Sequence, residues 1–235
     1  MTQFKEPLPS YLKEDVQTGT EISITGKWIA TQKSKFFRKS SEYKEMLKEW
    51  DDIHQEAKQH DGMLSTEINP AIGQDAVLIH HIFKNTDALV SYFNTTAENH
   101  MKTLTAAAKP EIQLIRGAKI DEKVKQALSA KQVKASFGEY LFGYVKHDNQ
   151  RPDPEYAVQV TAKWTCKDEG TLEELIYWWQ RVGTDAFKME EGLVRFEVYR
   201  VIDENALIIH ETFNHSDELK FHLTKGTAEK YKKNI

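Results

Sequence analysis

The feature of this sequence that most constrains its fold is a long internal repeat. The segment Gly62–Leu89 aligns without a gap on Gly192–Leu219, at an offset of 130 positions, and nine of the 28 aligned pairs are identical. A second match lies upstream, where Lys27 and Trp28 in "SITGKWIAT" align with the Lys-Trp pair of "QVTAKWTCK" at an offset of 136. Self-similarity at a fixed offset indicates that one supersecondary unit is built twice. We therefore predict a tandem duplication within one chain.

The first copy reads as strand, helix, two strands, helix and strand. The stretches "EISITGKWIAT", "MLSTEINP", "DAVLIHHIF" and "EIQLIRG" have the β-branched, turn-bounded character of strands. The segment "NTDALVSYFNTTAENHMKTL" begins with a capping signal and continues as a helix. An earlier helix starts at the serines before Glu42 and ends at Gly62, and helical spacing predicts that it buries Tyr43, Leu47, Trp50, His54 and Ala57. The order β-α-β-β-α-β is that of a ferredoxin-like unit.

The second copy repeats this order up to its second helix. We predict strands at 157–166, 194–201 and 206–213, and helices at 171–189 and from Ser216 onward. Between the copies lie a short helix, "DEKVKQALSAK", a strand, "EYLFGYV", which extends one of the sheets, and a loop, "HDNQRPDPEY". The predicted parts are an N-terminal extension (1–20), a first unit (21–118), a connecting segment (119–154) and a second unit (155–235).

The bare sheet faces of these units predict how the copies assemble. A ferredoxin-like unit covers one face of its sheet with helices, so the other face needs a partner. Two copies in one chain can cover each other. We therefore predict an α+β protein whose two ferredoxin-like units pack sheet to sheet as a monomeric pseudo-dimer, with a homodimer of whole chains as the alternative.

Composition narrows the classes of function. A net charge of -4 without a basic run argues against nucleic acid as a partner. The longest apolar runs are strand-sized, which argues against a membrane, and the polar N-terminus lacks the apolar stretch of a secretory signal. Cys166 is the one cysteine, so no internal disulfide forms, and we expect it to be a buried apolar side chain. These features predict a cytoplasmic protein.

A short motif in the second copy carries a resemblance to a known family. The stretch "ETFNHSDELKFH" contains Glu211, Phe213, Leu219 and His222 in an acid, aromatic, leucine and histidine pattern. This pattern resembles the antibiotic biosynthesis monooxygenase-like proteins of the dimeric α+β barrel superfamily. The resemblance covers residues 21–118 and 155–235. The superfamily includes cofactor-independent oxygenases of aromatic quinols, haem-using and haem-degrading enzymes, decarboxylases, isomerases and proteins without known activity, so the fold does not choose among them.

The resemblance also implies where a ligand binds, between each sheet and its own helices. It places Glu211, Phe213 and His222 at such a site in the second copy. In the first copy His81 stands at the acid position, beside Phe83, and Tyr92 stands at the histidine position. Oxygenation of an electron-rich phenol without a cofactor needs a base in a dry pocket. His222 as base with Glu211 as its orienting group would meet that need, so we expect the second copy to keep the site.

The strand histidines invite a metal site, which strand geometry excludes. Side chains alternate between the two faces of a strand, so His80 and His81 point in opposite directions, as do His210 and Glu211. Neither pair chelates one metal, and we predict no metal site. His80 and His210 occupy equivalent positions and would approach each other across a barrel. Each is either a half-buried, hydrogen-bonded histidine or, for one copy, a general base or haem ligand.

Together these observations predict a monooxygenase-type enzyme without a tightly bound cofactor, acting on a small aromatic or quinol-like molecule. A non-catalytic small-molecule-binding or stress-response barrel is the alternative, and a haem-binding or haem-degrading barrel is a further one. Haem degradation in this superfamily uses an asparagine that neither first strand contains, which argues against that last function. The catalytic candidates are His222, Glu211 and His210, and the ligand-binding candidates are Phe213, Trp164, Tyr92, His80, His81, Phe83 and Trp28.

Overall fold

The chain is a mixed α+β protein that divides into two compact units. The computed structural model describes residues 20–31, 40–71, 74–117, 119–130, 134–146 and 156–235. One unit, here the N-terminal unit, comprises the described residues up to Phe137, and the C-terminal unit comprises those from Gly138 onward. The predicted N-terminal extension, except for Thr20, and residues 147–155 of the predicted loop lie outside the described ranges. Within those ranges, no helix is both long and apolar enough to cross a lipid bilayer.

The N-terminal unit has the predicted element order, with its second helix divided in two. All of its strand pairs are antiparallel: β3 lies between β2 and β1, and β1 lies between β3 and β4. The strand order is therefore β2-β3-β1-β4. The elements are β1 (Ile22–Ala30), α1 (Ser41–Ala57), β2 (Met63–Pro70), β3 (Ala76–Phe83), α2 (Thr86–Asn94), α3 (Thr96–Ala107), β4 (Ala108–Gly117) and α4 (Glu122–Ala130).

The C-terminal unit differs from the N-terminal unit in the order of its strands. β8 lies between β7 and β6, and β7 also pairs with β5, all antiparallel, which gives the order β5-β7-β8-β6. The strand predicted in the connecting segment therefore joins the strands of the C-terminal unit, beside β7. The elements are β5 (Ser136–Val145), β6 (Val158–Thr165), α5 (Glu169–Met189), β7 (Leu193–Val201), β8 (Ala206–Phe213), α6 (Ser216–Thr224) and α7 (Thr227–Tyr231).

Side-chain caps set the start of several helices, as the sequence predicts. Ser40 Oγ accepts a hydrogen bond from the backbone N–H of Tyr43 at 3.1 Å, and α1 begins at the next residue. Asn85 Oδ1 accepts from the backbone N–H of Ala88 at 2.9 Å at the start of α2. Each such cap satisfies a backbone donor that has no partner within the helix.

The end of α1 differs from the prediction. The helix stops at Ala57, whereas Gly62, predicted as its C-terminal cap, lies in the turn that leads into β2. Gly62 has a φ of 86° there, and a Cβ at this position would lie 2.6 Å from Ala88 Cβ. The glycine is therefore needed for a left-handed turn and a close approach to α2, and not to end α1.

Alternation along β8 decides which residues meet the helices of the C-terminal unit. Ile209 and Phe213 belong to the buried core together with Trp179 and other apolar residues of α5. His210, one residue from Glu211, instead approaches Thr161 on β6, with Thr161 Oγ1 at 2.8 Å from His210 Nδ1. The side of β8 that carries Glu211 and Phe213 is thus the side against the helices.

Candidate functional site

The site begins as a row of three side chains across neighbouring strands of the C-terminal unit. Tyr144 on β5 pairs directly with Phe196 on β7, and Phe196 pairs with Glu211 on β8. Directly opposed residues on one face of an antiparallel pair are close enough to interact. The rings of Tyr144 and Phe196 are stacked, with centroids 5.7 Å apart. The sheet therefore places a carboxyl group at one end of an aromatic row.

His222 on α6 lies between two carboxylates. Its Nδ1–H donates to Glu190 Oε2 at 2.8 Å, and its Nε2 lies 3.3 Å from Glu211 Oε1. The imidazole also packs on the ring of Phe213, with centroids 5.4 Å apart. Glu190, Glu211 and His222 are only 3%, 6% and 1% exposed, so water is largely excluded from the group. The structure thus brings together three of the predicted site residues and adds Glu190.

Glu190 and Thr227, which our sequence reasoning missed, complete this network. Glu190 directly follows α5, and its Oε1 accepts hydrogen bonds from the backbone N–H of Thr227 at 2.6 Å and from Thr227 Oγ1 at 2.7 Å. The internal repeat contains a signal for Glu190. When the alignment at an offset of 130 is extended two positions upstream of Gly62 and Gly192, Glu190 aligns with His60. Both copies thus have a titratable residue at this helix end.

Gly226 allows this approach, and replacing it tests the network. A Cβ at Gly226 would lie 2.6 Å from Glu190 Oε1 and 2.8 Å from His222 Cα. Gly226→Ala is therefore expected to lower the free energy of unfolding by about 1 to 3 kcal/mol through overpacking, as urea denaturation would measure. Gly170→Ala is the matched control, because the nearest atom to its Cβ would be Asp168 Oδ1 at 3.6 Å. Equal stability of the two variants would contradict the packing described.

Burial and charge set the ionisation of these groups. Burial raises the pKa of Glu211 to about 7; the His222 cation opposes this shift and the Glu190 charge adds to it. Burial also disfavours the His222 cation, but the Glu190 hydrogen bond and both carboxylate charges outweigh it, and the pKa of His222 is raised. Burial disfavours ionisation of Glu190, yet its bonds to His222 and Thr227 prevail and its pKa is lowered. The two carboxylates therefore favour the cationic form of His222, and burial favours the protonated form of Glu211.

Two buried polar atoms of the row have no hydrogen-bond partner in the described part of the chain. They are Glu211 Oε1, despite its nearness to His222, and the hydroxyl of Tyr144. Tyr144 is fully buried, and burial together with the charges of Glu190 and Glu211 raises its pKa. Buried polar atoms are normally paired. At each end, the row therefore has a buried polar atom without a hydrogen bond to a described residue.

The N-terminal counterparts form a different group. His81 is 1% exposed, and Tyr92 Oη lies 3.5 Å from His81 Nε2. Phe83 packs on Tyr92 with ring centroids 5.2 Å apart. Burial, with the charge of His54, lowers the pKa of His81 to about 4, so its ring is neutral near pH 7. The structure brings the three predicted residues of this unit together, but without a carboxylate at the acid position.

Of the remaining predicted residues, the strand histidines lie on the other sheet face, and the two tryptophans pack against α1 or α5. Thr25 Oγ1 lies 2.9 Å from His80 Nδ1, the counterpart of the Thr161–His210 contact, so His80 and His81 point in opposite directions as predicted. Trp28 is buried against Trp50, whereas Trp164 is 38% exposed beside Trp179. Among the described residues, no group of three or more His, Cys, Asp or Glu is arranged to hold a metal ion.

A surface groove of about 420 Å³ lies at the opposite end of β7 and β8 from Glu211. Its walls include Glu139, Glu169 and Arg200 and the turn 201–205. Arg200 forms ion pairs there with Glu169 and Glu173. A groove lined by ion pairs is a poor match for an apolar aromatic molecule. The candidate site therefore stays with Glu211 and His222.

Two solved structures share this fold over most of both chains. A candidate monooxygenase from Fusobacterium nucleatum subsp. nucleatum matches 92% of this chain and 86% of its own, at 12% identity and a TM-score of 0.58. Another, from Lactobacillus acidophilus NCFM, matches 92% and 87%, at 14% identity and a TM-score of 0.53. At these identities the likeness shows the fold alone, an α+β fold in common with both proteins.

A third similarity is weaker and covers one part of the chain. SnoaB, a cofactor-independent oxygenase from Streptomyces nogalater, matches 44% of this chain and 97% of its own at 10% identity. Its TM-score of 0.36 is too low to carry an argument. No protein-family profile matches the chain, and no curated protein matches it significantly.

Proposed function

We propose that the C-terminal unit carries out a monooxygenase-type reaction on a small aromatic or quinol-like molecule without a tightly bound cofactor. One observation supports this most strongly: Glu211 is a buried carboxyl with a pKa of about 7, next to the His222 ring that a hydrogen bond to Glu190 holds in place. A general base is most effective when its pKa lies near the working pH. The shared fold with two candidate monooxygenases is compatible with the proposal.

The chemistry needs little more than a base and a dry environment. Removing a proton from an acidic O–H or C–H leaves an electron-rich anion that can reduce O₂. When a ring CH₂ becomes a carbonyl, one oxygen atom enters the product and the other leaves as water. The four electrons that reduce O₂ come from the substrate, as its two C–H bonds are broken. The protein's part is to take the proton and to exclude water from the anion.

In this proposal the predicted roles of Glu211 and His222 are exchanged. Both ring nitrogens of His222 face carboxyl groups, which raise its pKa, so the ring is poorly placed to accept a substrate proton. Glu211 is buried beside His222 and has a pKa near neutrality, as a base requires. His222 then stabilises the Glu211 anion, and Glu190 positions His222. His210 contacts Thr161 on the opposite face and has no part in this step.

We also propose that the two units arose by tandem duplication of a ferredoxin-like unit. Matching contacts support this. Ring centroids are 5.6 Å apart at 69° for Trp28 and Trp50, and 5.8 Å apart at 65° for Trp164 and Trp179. The two threonine–histidine contacts on the sheets also correspond. Sheet-to-sheet packing, the monomeric pseudo-dimer and a small organic partner remain predictions.

Oxygen uptake by purified protein tests the proposed reaction. With dithranol, an anthrone with a reactive ring CH₂, and a chelator but no added cofactor, we expect uptake well above the rate without protein. Glu211→Gln is expected to lower the catalysed rate by about 100-fold or more, because it removes the base. Glu174→Gln, which changes an exposed carboxylate on α5, is the matched control and should leave the rate unchanged. If the protein does not accelerate oxygen uptake with any anthrone or quinol tested, the result counts against the proposal.

The same network also supports a non-catalytic alternative. Glu190 joins the end of α5 to the start of α7 through Thr227, a contact that would hold a binding protein together equally well. A non-catalytic barrel would bind aromatic molecules without consuming oxygen. Binding that persists in Glu211→Gln, with no uptake by the wild type, would select this alternative.

A further inference from the structure

Residues 227–235, here called the latch segment, begin with α7, which packs on α5 and α6. Within this segment Thr227 is fully buried, and Tyr231 and Ile235 pack half-buried against the core of the C-terminal unit. A helix of five residues is too short to be stable on its own. The order of the latch segment therefore depends on the contacts that these side chains and their neighbours make.

Asp185 on α5 holds the far end of α7. Tyr231 Oη donates a hydrogen bond to Asp185 Oδ2 at 2.7 Å, and Lys230 Nζ lies 2.5 Å from the same oxygen. Burial opposes ionisation of Asp185, but the hydrogen bonds from Lys230 and Tyr231 outweigh it and lower its pKa, so Asp185 accepts as a carboxylate. The side chains of Asp185 and Lys230 are 24% and 52% exposed. Water therefore competes for this contact.

Thr227, at the near end of the latch segment, covers the network around His222. Its backbone N–H and its Oγ1 bind Glu190 Oε1 at 2.6 and 2.7 Å, and Oγ1 lies 3.5 Å from His222 Nδ1. Thr227 is itself 0% exposed. While it is in place, the hydrogen bond between His222 and Glu190 is shielded from water. If the latch segment moved away, water would have to satisfy the oxygen of Glu190 that Thr227 now binds.

A corresponding contact in the N-terminal unit is supported by more apolar burial. Glu56 lies six residues after Trp50 on α1, and His100 of α3 lies 3.0 Å from Glu56 Oε1. Asp185 lies six residues after Trp179, the tryptophan at the matching place on α5. However, α3 also buries three apolar side chains, those of Ala97, Leu104 and Ala107. In α7 no apolar side chain is fully buried, so its position depends more on the polar contact with Asp185.

We propose that the latch segment is a cover that opens and closes over Glu190 and His222, and that Asp185 is the latch that keeps it closed. The hinge is Gly226, whose N–H binds the carbonyl of Phe221 at 2.7 Å just after α6. Segments with few buried apolar side chains open locally at lower cost than the whole unit unfolds. Access of water to the buried network is then controlled from outside it. The inference rests on the C-terminal unit alone and does not depend on the proposed reaction.

Amide hydrogen exchange of the wild type tests for a local opening. The Thr227 N–H is expected to be at least about 10-fold less protected than the amides of β8, which lies between β6 and β7. Its exchange should not change at low urea concentrations, because a local opening exposes little surface, whereas exchange of the β8 amides should accelerate. Equal protection with the same urea dependence would mean that the segment opens only when the whole unit unfolds, and would overturn the proposal.

Tyr231→Phe tests the latch itself. The change removes the hydroxyl that binds Asp185 but keeps the aromatic ring. It should lower the protection of the Thr227 N–H by about 3- to 10-fold through loss of one hydrogen bond. Tyr177→Phe, which changes an exposed tyrosine on α5, is the matched control and should leave that protection unchanged. Equal protection of Thr227 in the two variants would show that the Asp185 contact is not a latch.

The ring N–H of His222 shows whether the opening reaches the network. Its Nδ1–H signal, assigned by comparison with His222→Gln, should exchange with water only when the cover is open. Saturation transfer from water should therefore give an exchange rate that rises in Tyr231→Phe by the same factor as that of the Thr227 amide. A signal that exchanges too fast to observe in the wild type, or a rate that Tyr231→Phe leaves unchanged, would overturn the proposal. If Tyr231→Phe does not fold, the wild-type comparison of Thr227 with β8 still decides.

Discussion

Replacing Glu211 with glutamine is expected to change how stability depends on pH. The free energy of unfolding of the variant, relative to that of the wild type, should be about 3 kcal/mol higher near pH 8 than near pH 4. The pKa of Glu211 is about 7 in the folded chain, against an ordinary value of 4.5 for glutamate. The folded state therefore keeps a proton that the unfolded state releases as the pH rises from 4.5 to 7. Each pKa unit corresponds to about 1.4 kcal/mol. The stability that the protonated Glu211 contributes is fully present below pH 4.5 and is lost as the pH rises through 7.

Urea denaturation at a series of pH values measures this difference. Glutamine has no charge at any of these pH values, so the variant should lack the loss of stability that Glu211 causes in the wild type. Glu174→Gln, an exposed change on α5, should show no such growing difference. If the difference in free energy of unfolding between Glu211→Gln and the wild type is the same from pH 4 to pH 8, the pKa of Glu211 is not raised.

Replacing His222 with alanine is expected to have the opposite effect, a loss of about 3 to 5 kcal/mol near pH 8. The change leaves Glu190 and Glu211 buried without the cation between them, and breaking a buried ion pair by removing one partner is strongly destabilising. His215→Ala is the control, because His215 is an exposed residue at the start of the same helix. It accepts a hydrogen bond from the Asp217 backbone N–H, a cap worth about 1 kcal/mol.

Denaturant midpoints of the two histidine variants, measured at one pH, test this second expectation. Equal losses of stability would show that His222 contributes no more than a surface cap. Taken with the glutamine variant, the result defines a trade-off: the ionised Glu211 that burial makes costly for folding is the same species that a base needs. Functional sites commonly carry such a cost in folding stability.

Much of the fold was predictable because local signals agree with the global pattern. Strand alternation gave the opposite orientations of His80 and His81, and side-chain caps marked the starts of α1 and α2. The buried face of α1 was predicted only in part. The structure buries Met46 and Ile53, whereas the sequence favoured their neighbours Leu47 and His54. Helical spacing accepts either set, and only packing against the sheet decides between them.

The sequence did not predict which strand pairs with β5. Residues 139–145 read clearly as a strand, but a strand pattern does not state its neighbour. β5 pairs with β7, whereas the outer strand of the N-terminal unit pairs with β1. Pairing over such separations depends on which sheet edge remains available in the folded chain, and hydrophobic alternation carries no record of that.

The sequence predicted the site residues that lie close together in one motif. It did not predict those that only the tertiary structure brings to the site. Glu211 and His222 lie eleven residues apart in one strand-to-helix stretch, so the motif contains both. Glu190 reaches His222 across 32 positions and Thr227 across 37, at a helix end and a helix break. The prediction of one continuous second helix also concealed the break at Gly226, where the Glu190 side chain fits.

The central claim is that ionised Glu211 is the base for oxygenation without a cofactor. The most direct test is the pH dependence of kcat/KM for oxygen uptake with an anthrone substrate, after subtraction of the rate without protein. The wild type should show a rising limb with an apparent pKa near 7, and Glu211→Gln should lack that limb and most of the rate. A wild-type profile without an ionisation near 7, or an unchanged profile in Glu211→Gln, would contradict the claim.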